Sequence, residues 1–86
     1  MTGPLDPKGL IREAYRIEEI DAPMCRSIYL DWALSLPNGA DAAAETAAHF
    51  AQRRDSDPDH PMTAVLREGV DGAARQRSRR RRRKPN

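Results

Sequence analysis

Apolar residues recur at spacings of three and four over four stretches of this chain, the spacing that gathers them on one side of a helix. The first stretch covers about Pro7 to Glu19. Asp6 stands where a carboxylate can receive free amides of a first turn, and Pro7 at the first helical position loses nothing by lacking an N–H. Leu10, Ile11, Ala14, Tyr15 and Ile17 fall on one side, with Arg12, Glu13, Arg16 and Glu19 on the other. Gly9 costs this helix about 1 kcal/mol relative to alanine.

The second stretch, about Ala22 to Leu36, has Asp21 and Pro23 at its start and Pro37 beyond its end. Met24, Cys25, Ile28, Tyr29, Leu30, Trp32, Ala33, Leu34 and Leu36 are apolar, leaving Ser27, Asp31 and Ser35 as a narrow polar stripe at spacing four. A helix apolar over most of its circumference is expected to be surrounded, so this segment is the predicted hub of the core. Trp32, four residues from both Ile28 and Leu36, is its predicted anchor.

Pro37-Asn38-Gly39-Ala40 makes a tight connection, so a third helix, about Asp41 to Arg54, is expected to fold back antiparallel. Its predicted inner face is Ala43, Ala47, Phe50 and Ala51 with Ala44 and Ala48 beside them, which puts His49 outside. The polar, proline-broken run Asp55 to Pro61 reads as a loop. A short fourth helix follows, about Pro61 to Glu68, with Met62, Val65 and Leu66 inward and Gly69 and Gly72 bracketing its end. There is no strand pattern and no internal repeat. The expected fold is an all-α bundle of three main helices and a short fourth, occupying residues 6–70, with a flexible start at 1–5.

Charge changes the picture at the end of the chain. Of 15 Lys and Arg, eight fall in the tail at Arg75, Arg77, Arg79, Arg80, Arg81, Arg82, Arg83 and Lys84, and all 13 Asp and Glu precede them. Residues 1–74 therefore carry seven cations against thirteen carboxylates, a net −6, while the tail carries +8; the overall +2 conceals this division. Crowded like charges with no apolar group to bury predict disorder for residues 71–86. These eight side chains are the candidate polyanion-binding residues. Each phosphate neutralised releases counterions, so eight contacts would give a slope of at most about −7 in log K against log salt. With Tyr15, Tyr29, Trp32 and Phe50 all in predicted helices, no aromatic interleaves the tail to stack on bases, and such binding would be sequence-blind. Anionic lipid, an acidic protein or the chain's own acidic body are other targets of the same chemistry.

Sharper chemistry fails on its requirements. Asp55, Asp57 and Asp59 have the first three spacings of a calcium loop, but the positions that need glycine and a bidentate glutamate are His60 and Leu66. Cys25, His49 and His60 lie in three separate segments without zinc-ligand spacing. Cys25 lies in a first helical turn beside Arg26 but shares its side with Ile28 and Trp32, the setting of a small buried apolar residue. The third helix cannot serve as a recognition helix, because its leading end offers Asp41, alanines and Glu45 to a phosphate backbone. No nucleophile, base and oxyanion site can be assembled, so neither an enzyme nor a cofactor is expected.

No segment approaches the roughly 18 consecutive apolar residues of a membrane span. Met1 to Gly9 lacks the apolar run of a signal peptide, and a single cysteine rules out an internal disulfide, which together point to the cytoplasm. At 86 residues the chain is one domain that buries only about 60% of its unfolded surface.

Glu13-Ala14-Tyr15-Arg16-Ile17 followed by Cys25-Arg26-Ser27-Ile28-Tyr29-Leu30-Asp31-Trp32-Ala33-Leu34 resembles a family of small helical bacterial proteins without assigned activity. The resemblance covers the first half of the chain and implies a compact helical unit; it carries over no site residues. The expected function is that of a small regulatory or adaptor protein, its body contacting a protein partner and its tail nucleic acid or another polyanion. The alternative is a protein–protein module or homodimer whose tail only aids solubility.

Overall fold

A computed structural model describes residues 4–82, with side chains through Gln76 and at Ser78. Four helices follow one another: α1 (Leu10–Ala14), α2 (Ala22–Ser35), α3 (Ala42–Ser56) and α4 (Pro61–Arg82). The all-α class expected from periodicity holds, with no strand among the described residues. Which helix is short is reversed, however: α1 has five residues and α4 has 22.

Local chemistry explains both lengths. Gly9 has φ +67°, a left-handed conformation that breaks the helix expected to run from Pro7. Asp6 caps as anticipated but from farther upstream, its two carboxylate oxygens accepting from the amides of Ile11 (3.2 Å) and Arg12 (3.1 Å). After Ala14 the amides of Tyr15 and Arg16 reach back only three residues, to Arg12 and Glu13, and Glu19 at φ 58° turns the chain away. Ile17, expected inside, is therefore exposed, and Ile20 is buried.

Asp21 starts α2 by accepting from the Met24 amide (3.0 Å), and Asp41 starts α3 the same way with Ala44 (3.2 Å). Leu36 is extended because a residue before proline is held out of the helical region. Where α4 begins, His60 Nδ1 accepts from the Met62 amide (3.0 Å). The helix then passes through Gly69 and Gly72, which were expected to end it. At Gly69 a reason is visible: a Cβ there would stand 2.6 Å from the Tyr29 hydroxyl oxygen and 3.0 Å from Thr46 Cγ2. The glycine lets α4 approach α2 and α3 at one point.

The core consists of Ile11, Ala14, Ile20, Cys25, Trp32, Met62, Val65 and Leu66. α4 packs against both α3 and α2, and α2 against both α4 and α1, so the two helices share the central place. The expectation that α2 is surrounded is corrected: Leu30 is 61% exposed, Leu34 84% and Met24 49%. The inner stripe of α3 is corrected as well. It runs through Thr46, His49, Phe50 and Arg53, whereas Ala44, Ala47, Ala48 and Ala51 are exposed. Alanine offers little area to bury, so the larger neighbours decide which side of that helix faces inward.

The anchored chain also begins earlier than position 6. The Leu5 carbonyl accepts from Trp32 Nε1 (2.8 Å) and from His49 Nε2 (2.9 Å), and the Leu5 amide donates to Glu45 Oε1 (2.7 Å).

Candidate interaction surfaces

The basic segment is carried out of the body on α4. Gly72 has open space where a side chain would begin, and Ala74, Arg75, Gln76 and Ser78 are exposed. At a rise of about 1.5 Å per residue the 22-residue helix is about 33 Å long, in a molecule whose extents are 52 × 26 × 22 Å. Of the eight candidate polyanion-binding residues, Arg75 is exposed on this helix and the backbone carries Arg77, Arg79, Arg80, Arg81 and Arg82 beyond it. Arg83 and Lys84 lie outside the described residues. Residues 74–76 and 78 are exposed, and the backbone of 71–82 continues α4 as helix. Arginines three or four positions apart on a helix repel one another by a few tenths of a kcal/mol per pair.

A second surface lies on α2. Cys25, Trp32 and Leu36 face the core, which places Leu30 and Leu34, at spacing four, on the opposite side with Ser27 and Asp31 between them and Met24. The polar stripe read from the sequence is real, but it has apolar residues on both flanks, and they meet solvent.

The polar groups inside the body serve the fold. Trp32 and His49 share the Leu5 carbonyl with ring planes 87° apart. Because a carbonyl only accepts, neutral His49 must carry its proton on Nε2. Thr46 donates to the Ala42 carbonyl (2.7 Å) and receives the Tyr29 hydroxyl (3.0 Å). The Tyr15 and Thr63 hydroxyls hydrogen-bond at 2.6 Å. The Tyr15 ring has Arg53 over it at 4.1 Å and the His60 ring at 4.4 Å, while Arg53 also pairs with Asp57 (3.5 Å). Burial raises the pKa of Tyr15 and lowers that of His60.

Cys25 is fully buried; burial pushes its thiol pKa up, and Asp21 adds to this, the opposite of what a nucleophile needs. Asp55, Asp57 and Asp59 do not converge as ligands: Asp55 lies in the last turn of α3, beside Arg54, and Asp57 is turned to Arg53 and Ser56. Among the described residues no three His, Cys, Asp or Glu side chains gather around a point that would hold a metal, and no helix is long and apolar enough to cross a membrane.

Sequence reasoning did not find the inward position of His49 or the role of the Leu5 carbonyl. One signal was available: moving the inner stripe of α3 by one residue brings Thr46, His49, Phe50 and Arg53 into line at spacings of three and four. No family model, curated protein or solved structure matches this chain. Its function has to be argued from its surfaces.

Proposed function

We propose that this chain is a small non-enzymatic regulatory or adaptor protein of the cytoplasm, whose acidic helical body meets a protein partner and whose arginine-rich end attaches to nucleic acid or another polyanion. One observation carries the reading. A net +8 cluster follows a −6 body in sequence, and the helix leading into it has open space at Gly72 and is exposed at Ala74, Arg75, Gln76 and Ser78. A charge cluster of this kind raises the association rate with a polyanion more than the specificity.

The test is retention on heparin or RNA across a salt series, comparing the full chain with one cut after Ala74. The full chain should elute later, with a slope in log K against log salt no steeper than about −7 on duplex DNA, and the cut chain should lose that retention. Equal elution of the two removes the polyanion reading.

The outer side of α2 favours a second reading, a protein–protein module or homodimer with an incidental tail. Leu30 and Leu34 together expose apolar area that a body of this size would gain by covering. Light scattering over a range of concentrations separates the two; a monomer throughout would discard the homodimer.

A further inference from the structure

Lys8, Arg12 and Arg53 line one cleft between the segment around α1 and the inward-turned side of α3, a cavity of about 480 Å³ that Gln52 and His49 also border. We propose that this cleft is a binding site for a compact phosphate group, as inorganic phosphate or as the phosphate of a small ester, separate from the basic arm.

The argument begins with charge. The body has only seven cations for thirteen carboxylates, yet three of the seven come together here from two segments about forty residues apart. Lys8 and Arg12 make no ion pair among the described residues. Three carboxylates stand close, and none closes the site: Glu45 is turned to the Leu5 amide at 2.7 Å. Asp6 spends both oxygens on the amides of Ile11 and Arg12, whose dipoles oppose part of its charge. Asp57 takes one guanidinium nitrogen of Arg53, at 3.5 Å, and a guanidinium has five N–H donors in all. Among the side chains that line the cleft, three cations thus face one carboxylate, Asp6, within a body of −6.

Geometry supplies the second half. Gln52 and Arg53 reach the cleft from the same helix that fixes His49 inward, and His49 is held by the Leu5 carbonyl immediately before Asp6. One wall is therefore a packed helix, and the other is a loop tied at Leu5 and Asp6. Arg12 stands on one wall and Arg53, from its place over the Tyr15 ring at 4.1 Å, on the other, so N–H donors of both can turn to a tetrahedral oxyanion, and lysine adds a point charge. The volume suits a phosphate with a small substituent and is far too small for a nucleic-acid duplex.

The experiment titrates inorganic phosphate and, separately, glycerol 3-phosphate into the full chain at constant ionic strength, with chloride as control. Binding is followed by calorimetry and by the NMR signals of the Trp32 indole N–H and the His49 ring. Both rings hold the Leu5 carbonyl at the cleft's edge. Saturable binding with a Kd below about 10 mM is expected. Lys8→Gln and Arg12→Gln, both exposed positions outside the core, should each weaken it roughly tenfold at unchanged circular dichroism. The chain cut after Ala74 should bind as the full chain does. Absence of saturation, affinity unchanged by both substitutions, or loss of binding on removal of the arm would each overturn the proposal. The last outcome would hand the phosphate to the arm and leave the polyanion reading standing.

Discussion

The rings of Trp32 and His49 stand almost perpendicular, 87° between planes and 5.3 Å between centroids, while both aim an N–H at the single carbonyl oxygen of Leu5. One acceptor, with two lone pairs, satisfies the only indole and a buried imidazole at once. Trp32 is fully buried, so Trp32→Ala should cost about 3–5 kcal/mol, enough to unfold most of a domain this small. His49→Ala should cost less, about 1–3 kcal/mol, because one donor to the Leu5 carbonyl remains. Urea denaturation of the two variants checks the order; a normal transition for Trp32→Ala would contradict the buried anchor.

Two glycines of α4 should respond oppositely to alanine. At Gly69 the new methyl meets the Tyr29 hydroxyl and Thr46, and the variant should lose about 1–3 kcal/mol through overpacking. Adding Tyr29→Phe, which removes the oxygen nearest that methyl, should recover part of the loss. Gly72→Ala enters open space within a helix and should gain up to about 1 kcal/mol from propensity. Thermal melts of the four proteins decide it, and identical effects at 69 and 72 would refute the close approach of α4.

Stability should fall as pH drops below the ordinary histidine range. His60 is partly buried with its pKa lowered, chiefly by burial; Asp57 works against this and Arg53 for it. A lowered folded-state pKa means that the neutral form is favoured on folding. The stabilisation is therefore complete above the unfolded value of about 6.5 and is lost as pH falls through the folded value. Protonation would also remove the Nδ1 lone pair that holds the Met62 amide and place a second cation against Tyr15 opposite Arg53. Melting temperatures between pH 7.5 and 5 should fall more for the natural chain than for His60→Asn, whose side chain can cap without titrating.

Leu34→Ser should leave monomer stability within about 0.5 kcal/mol, because that side chain is almost wholly in solvent. If light scattering finds a dimer, the same substitution, with Leu30→Ser, should dissociate it. A dimer unaffected by both would move the contact elsewhere on the body.

Reading the sequence located α2 to within one residue, because Asp21, Pro23 and Pro37 are strong local signals that need no tertiary context. The starts of α3 and α4 were equally legible from Asp41 and Pro61. The extent of α1 was not, since Gly9 can adopt either hand and only the assembled chain made it left-handed. The end of α4 was misplaced for a related reason: glycine usually stops helices, and here one glycine is needed for the approach to Tyr29.

The charge division, the helical class and the caps of the later helices are decided by the order of residues alone, because each depends on composition or on neighbours a few positions away. Which side of α3 faces inward, which leucines of α2 stay in solvent, and how Leu5, Lys8, Arg12 and Arg53 come together are decided by the tertiary structure. Those outcomes depend on competition among distant groups for a limited interior: Thr46, His49 and Phe50 displace a face of alanines, and α4, given room by Gly69, shares the central place that the pattern of α2 had claimed.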